Sequence, residues 1–128
     1  MGKLPEINAP VVSIVGSRKP SAYGKEVTER LATDLAKAGC VIVSGLALGV
    51  DCIAQKAAIE AGGTVVAVVP NELPDISPRT NYQLAMSIIE QGGAVVSEWM
   101  KGDNKIVNRW NFLERNRLVS GLADGIII

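Results

Sequence analysis

Five short apolar runs punctuate the chain: Val11 to Val15, Val41 to Ser44, Val65 to Val69, Ala94 to Ser97 and Gly125 to Ile128. Their apolar residues are continuous. A strand with one wet face alternates polar and apolar positions, whereas a continuous Val/Ile run suits a parallel strand buried on both faces. Segments of helical period lie between the runs. In the first, Pro20-Ser21 supplies a start signal, Val27, Leu31 and Leu35 fall on one stripe flanked by Ala32 and Ala36, and Gly39 supplies the stop. Lys25 with Glu29, and Glu26 with Arg30, are spaced to pair across one turn. A second helix is expected from about Asp51, its N-cap, to Ala61, stopped by Gly62-Gly63. A third should run from about Asn81 to Gln91, ahead of Gly92-Gly93, and a fourth over Leu113 to Leu122. Pro70 to Thr80 holds three prolines and reads as a loop, as does the polar stretch Trp99 to Asn111. Buried strands alternating with helices predict an α/β fold with a mainly parallel sheet.

Repeats, low-complexity tracts and linkers are absent from the sequence, so residues 1–128 read as a single domain. The chain stops inside Ile126-Ile127-Ile128, which reads as a piece of a longer domain. No apolar run is long enough to cross a bilayer, and Met1 to Pro10 lacks the layout of a signal peptide. A soluble, cytoplasmic protein is expected. Thirteen basic residues balance thirteen acidic ones, which argues against coating nucleic acid by bulk charge. Any nucleic-acid site must gather its basic residues locally. The sequence has no histidine, so the commonest general base and zinc ligand are missing. Cys40 and Cys52 form no metal-ligand cluster and read as free structural thiols. No metal or cofactor is expected.

In an open parallel sheet, ligands bind beyond the carboxyl ends of the strands, where strand order reverses. The loop Gly16-Ser17-Arg18-Lys19 follows the first strand. Glycine permits close backbone approach, and a hydroxyl and a guanidinium can both donate to phosphate oxygens. A plain turn with surface basics accounts for the same residues equally well. The loop Ser44 to Asp51 repeats the logic, yet it is neither the G-x-G-x-x-G fingerprint nor a Walker loop. Arg109-Trp110-Asn111-Phe112-Leu113-Glu114-Arg115-Asn116-Arg117 interleaves arginines with aromatics, as single-strand binders do. The plainer alternative puts Trp110 and Phe112 in the core and pairs Arg115 with Glu114 or Glu98. There is no Ser/His/Asp set or nucleophile elbow, and Glu98 with Asp51 or Asp75 would pair only if folding brought them together. No catalytic residue is assigned.

The order of motifs carries a resemblance. Val-Gly-Ser-Arg at 15 to 18 closes the first strand, and Ser-Gly-Leu-Ala-x-Gly-x-Asp follows at 44 to 51. Pro78-Arg79-x-Asn81 precedes the third helix, Ser97-Glu98 ends the fourth strand, and Phe112-Leu-x-Arg-Asn-Arg runs into Ser120-Gly121-Leu122. This series resembles the DprA/Smf family of bacterial DNA-processing proteins over nearly the whole chain. The resemblance implies a Rossmann-like three-layer sandwich that binds single-stranded DNA in natural transformation and RecA-dependent recombination, without being an enzyme. It also implies a RecA-type recombinase as partner and leaves a homodimer open. Carried over residue by residue, Gly16, Ser17 and Arg18 would line a phosphate pocket with Ser44 and Gly45 beside them. Arg109 would be a basic pocket residue, Phe112 would stack on a base, and Arg115, Asn116 and Arg117 would brace or line the same pocket. Gln55 stands where the family often has histidine. The family's fold continues beyond residue 128 with further strands and a Ser-Gly-Ser-type loop, so part of its pocket is not in this sequence.

Two other classes share this fold: a nucleotide-binding sensor, and a nucleoside-monophosphate hydrolase of the lysine-decarboxylase-like group. The hydrolases resemble one another in a Pro-Gly-Gly-x-Gly-Thr loop, which does not occur here. The Arg109 to Arg117 track suits a strand better than a single nucleotide.

Overall fold

The computed structural model describes residues 1–5, 9–73, 75–76, 79–99, 115–117, 119 and 121–128. Five strands are present: β1 (Val11–Ile14), β2 (Val41–Ser44), β3 (Val65–Val68), β4 (Ala94–Val96) and β5 (Gly125–Ile127). They pair in parallel in the order β4-β3-β2-β1-β5. Each falls within a residue or so of an apolar run, because a run buried on both faces has few other places to go. The chain steps outward from β1 to β4, then returns to the far side of β1. Strand order therefore reverses between β1 and β5.

Helices α1 (Ala22–Lys37), α2 (Val50–Glu60) and α3 (Tyr82–Glu90) cover one face. Ala32, Ala36, Ala54, Ala58, Ala85 and Ile88 pack there against Ile14, Ile42, Val65, Ala67 and Val95. The opposite face presents Val41, Val43, Val66 and Val68, which pack with Val119. Residues 115–117, 119 and 121 are helical, so this side supplies the third layer of the sandwich. Of the expected fourth helix, Leu122 is already in a turn, and residues 113, 114, 118 and 120 lie outside the described residues. At β4 the N-terminus covers the sheet edge: Val95 donates its amide to Met1, and Lys3 donates to Gly93. A paired edge no longer offers a row of open amides to another chain.

Three local expectations are corrected. The fully buried stripe of α1 is Thr28, Ala32 and Ala36, while Val27, Leu31 and Leu35 are only half-buried. Alanines take the inner position where α1 packs closely on α2, and just beyond α2 a methyl group on Gly63 would come within 2.7 Å of the Ala36 methyl. Lys25–Glu29 and Glu26–Arg30 do not close; among the described residues the ion pair formed is Arg117–Glu98. Exposed pairs on a helix gain too little to fix two long side chains. Finally, the N-cap of α2 is Gly49, at φ 87°, and Asp51 lies inside the first turn with its carboxylate turned elsewhere. Asn81 likewise caps α3 without a side-chain bond to it, because its amide donates to the Leu46 carbonyl at 2.8 Å. By contrast, Ser21 caps α1 as its sequence predicts, accepting the Gly24 amide at 3.0 Å.

Candidate functional site

The loops after β1 and β2 meet at the carboxyl edge of the sheet, next to the reversal point. They are interlocked. The Val50 amide donates to the Ser17 carbonyl at 3.0 Å. A methyl group on Gly49 would collide with the Ser17 carbonyl oxygen and the Arg18 backbone. One on Gly16 would meet the Val50 side chain at 2.9 Å. Glycine at 16 and 49 thus lets the two loops touch. Gly16, Ser17 and Arg18 remain exposed on the rim.

Leu46 holds the second loop in an uncommon shape. It has φ 59°, the left-handed region that a branched residue rarely enters. Its side chain is buried, its amide donates to Gln55 Oε1 at 3.0 Å, and its carbonyl accepts from Asn81. Surroundings that fix both backbone groups and the side chain can sustain such strain. Gln55, fully buried, also faces the Val66 carbonyl at 3.5 Å. It therefore ties α2 to the loop and to β3.

Beneath the rim lies a buried pair of opposite charges. Asp51 and Arg115 are each 5% exposed. The Asp51 carboxylate accepts the Gly45 amide at 3.0 Å. Arg115 donates from one guanidinium nitrogen to the Gly45 carbonyl at 2.6 Å and to the Val68 carbonyl at 2.8 Å, and from Nε to Asn116 Oδ1 at 3.2 Å. A methyl group on Gly45 would sit 2.5 Å from the Arg115 guanidinium carbon. Burial pushes the Asp51 carboxyl above its ordinary range; the Arg115 charge and the Gly45 hydrogen bond oppose that shift. Burial lowers Arg115, Asp51 opposes the shift, and the neighbouring Arg18 charge adds to it.

The expected site residues divide accordingly. Gly16, Ser17 and Arg18 form the exposed rim, and Asn116 and Arg117 are exposed as well. Asn116 and Arg117 line a cavity of about 340 Å³ with Ser13, Val15 and Ile128, beside the β1–β5 reversal. Ser44 is buried, with its hydroxyl donating to the Ile14 carbonyl at 2.5 Å. Gly45 is buried with its amide on Asp51 and its carbonyl on Arg115. Ser44, Gly45 and Arg115 therefore brace the wall behind the rim. Arg115 faces Asp51, and Glu98 takes Arg117 as its partner. Arg109 and Phe112 lie outside the described residues. Sequence reasoning missed the bracing roles of Asp51, Gln55, Asn81 and Leu46. A buried acid shows no sequence pattern distinct from a cap.

Among the described residues no three His, Cys, Asp or Glu side chains gather into a metal site, and no helix is long and apolar enough to cross a membrane. Glu98 pairs with Arg117, and the Arg115 charge acts on Asp51.

A family model described as DNA recombination-mediator protein A matches residues 1–128. Protein Smf of Escherichia coli is 40% identical over 127 residues, covering 99% of this chain and 33% of that protein. DNA processing protein DprA of Bacillus subtilis is 38% identical over 117 residues, covering 91% of this chain and 38% of the relative. The chain thus spans about a third of the length of these curated relatives. Among known structures, DNA processing protein A from Helicobacter pylori, described for its unique single-stranded DNA binding mode, superposes with a TM-score of 0.81 at 42% identity. That match covers 93% of this chain and 53% of the other. DprA from Streptococcus pneumoniae gives 0.78 at 35% identity, covering 92% and 40%. The Rossmann-like α/β architecture is common to them.

Proposed function

The chain belongs to the DNA recombination-mediator protein A family, and on that footing we propose that it binds single-stranded DNA as part of a recombination mediator and is not an enzyme. The observation that carries the reading is the exposed Ser17–Arg18 rim at the end of β1, interlocked with the loop after β2. Phosphates of a strand would lie along that rim, held by the Arg18 guanidinium and the Ser17 hydroxyl. Asn116 and Arg117, exposed beside the β1–β5 reversal, would contact the same strand. Arg109 would add a further phosphate contact and Phe112 a stacking platform, roles that rest on the family resemblance. Ser44, Gly45 and Arg115 would act from behind, holding the rim in place. A RecA-type recombinase, natural transformation, homodimer formation and a cytoplasmic setting belong to the same proposal. A gathered rim resolves the charge problem too: a chain with no net charge can bind a polyanion where its cations are local.

The test is fluorescence anisotropy with a labelled dT oligonucleotide, against duplex DNA and AMP as competitors. The wild type is expected to prefer the single strand over both. Arg18→Ala should weaken binding by about 1.5–3 kcal/mol, the range for a hydrogen bond to a charged group. Tight AMP binding by the same folded sample, with no binding of dT, would favour the nucleotide-sensor reading.

A further inference from the structure

A cavity of about 360 Å³ adjoins the rim at the reversal point. Ile14 of β1 and Ile127 of β5, which are register partners, both line it. Gly16 and Ser17 of the rim line it too, as do Val27 and Leu31 of α1. Two hydroxyls in its lining are bonded to the helix itself: Ser21 Oγ accepts the Gly24 amide at 3.0 Å, and Thr28 Oγ1 donates to the Gly24 carbonyl at 2.7 Å. The cavity thus sets apolar side chains beside a candidate phosphate contact, the mixture that small-ligand pockets of this size show. Two neighbouring lining residues have no role in the fold. Tyr23, the second residue of α1, is 77% exposed, so core packing does not account for an aromatic ring there. Gly24 lies inside α1, where glycine is less stable than alanine. Close packing does not demand it, because a methyl group at 24 would come no closer than 3.4 Å to Pro20 and Ser21. Gly16, Gly45 and Gly49 differ, since methyl groups there would collide with the protein.

We propose that this cavity is a nucleobase pocket: the base adjoining the phosphate at Ser17–Arg18 enters it, lies against the Tyr23 ring and passes close to Gly24. The inference rests on the strand-binding reading for the source of that base. An exposed aromatic face next to a position without a side chain suits a flat ring, which needs a stacking partner on one side and room on the other. Val27, Leu31 and Ile127 supply apolar contact deeper in. Continuity with the rim places the pocket within reach, since a base is separated from its own phosphate by one sugar. Recognition is by the faces of the base. Every base has a π face, so the pocket anchors a strand without reading its sequence. A sugar–phosphate without a base keeps the rim contact and loses the pocket.

The experiment pairs NMR of methyl-labelled protein with anisotropy of two labelled strands of equal length, a dT oligonucleotide and its abasic counterpart. Adding dTMP or the dT oligonucleotide should shift the methyl resonances of Val27, Leu31 and Ile127, and inorganic phosphate should leave them in place. The wild type should bind dT at least about fivefold more tightly than the abasic strand. Tyr23→Ala and Gly24→Leu should each weaken dT binding by at least about fivefold while leaving the abasic strand unaffected. Arg18→Ala should weaken both strands, because the rim contact does not involve the base. Gly24→Ala should raise the Tm by about 3 °C, as a helical glycine kept for a ligand and not for packing requires. Methyl resonances that stay in place with both dTMP and dT, variants that bind dT as tightly as the wild type, or a lower Tm in Gly24→Ala would each overturn the proposal. Methyl shifts with dTMP in a protein that fails to bind dT would sink the strand-binding reading and leave the pocket standing.

Discussion

Position 45 is glycine because a guanidinium already occupies the space beside it. A methyl group there would lie 2.5–2.7 Å from three atoms of the Arg115 guanidinium. That group is pinned by the Gly45 and Val68 carbonyls and cannot simply turn away. Gly45→Ala should therefore destabilise the fold by about 1–3 kcal/mol, the usual cost of forced overpacking. Urea denaturation measures it, and a neutral result would mean that Arg115 is not held there. Asp51 makes a second prediction. Burial raises its pKa above 3.8, so the folded state holds this proton more tightly than the unfolded chain. Its contribution to stability is then fully present below 3.8 and is lost as pH rises through the folded value. Asp51→Asn removes that titration while keeping an acceptor for the Gly45 amide. The stability of the variant relative to wild type should thus improve as pH rises from 3.8 towards neutrality, as read from urea midpoints at several pH values. A constant difference, or the opposite trend, would contradict it. At this scale the sequence was half legible. Gly16-Ser17-Arg18 reads as an exposed donor loop because its chemistry is local. Ser44 and Asp51 read as a donor and a cap, since nothing in a linear sequence reveals that Ile14 and Gly45 lie within their reach.

Among the elements, strands were far easier to read than helix faces. Val41–Ser44 coincides with its apolar run because a strand buried on both faces depends on composition alone. The stripe of α1 depends on the neighbour. Val27, Leu31 and Leu35 have the right spacing, yet close approach to α2 puts the smaller Ala32 and Ala36 innermost. Val27 and Leu31 instead line a cavity of about 360 Å³ with Tyr23, Pro20 and Ile127. Helix starts split in the same way. Ser21 has no competing partner and caps α1, whereas Asn81 and Asp51 are drawn into the loop after β2. Ser21→Ala should accordingly cost about 1 kcal/mol of stability by chemical denaturation. A loss within error of zero would show that the cap bond adds nothing to α1. The Ser13 hydroxyl, which donates to the Val119 carbonyl at 2.5 Å, fastens the second helical layer to β1. Its place in an otherwise apolar run gave no sign of that role.

For the whole molecule, periodicity predicted an α/β protein with a parallel sheet but not the order β4-β3-β2-β1-β5. Strand order is set by which faces the helices cover, and that depends on contacts far apart in sequence. The order matters because it puts the β1 loop beside the reversal point, with the buried Asp51–Arg115 pair behind it. In the proposed function the rim meets the ligand and the wall positions the rim. The measurement that tests this most directly is the salt dependence of dT binding in the wild type and in Arg18→Ala. For single strands the slope of log affinity against log salt is about −0.7 per phosphate neutralised. The account predicts a wild-type slope corresponding to several phosphates, reduced by about one phosphate in Arg18→Ala. Affinity that is flat with salt, or a slope untouched by the mutation, would contradict it.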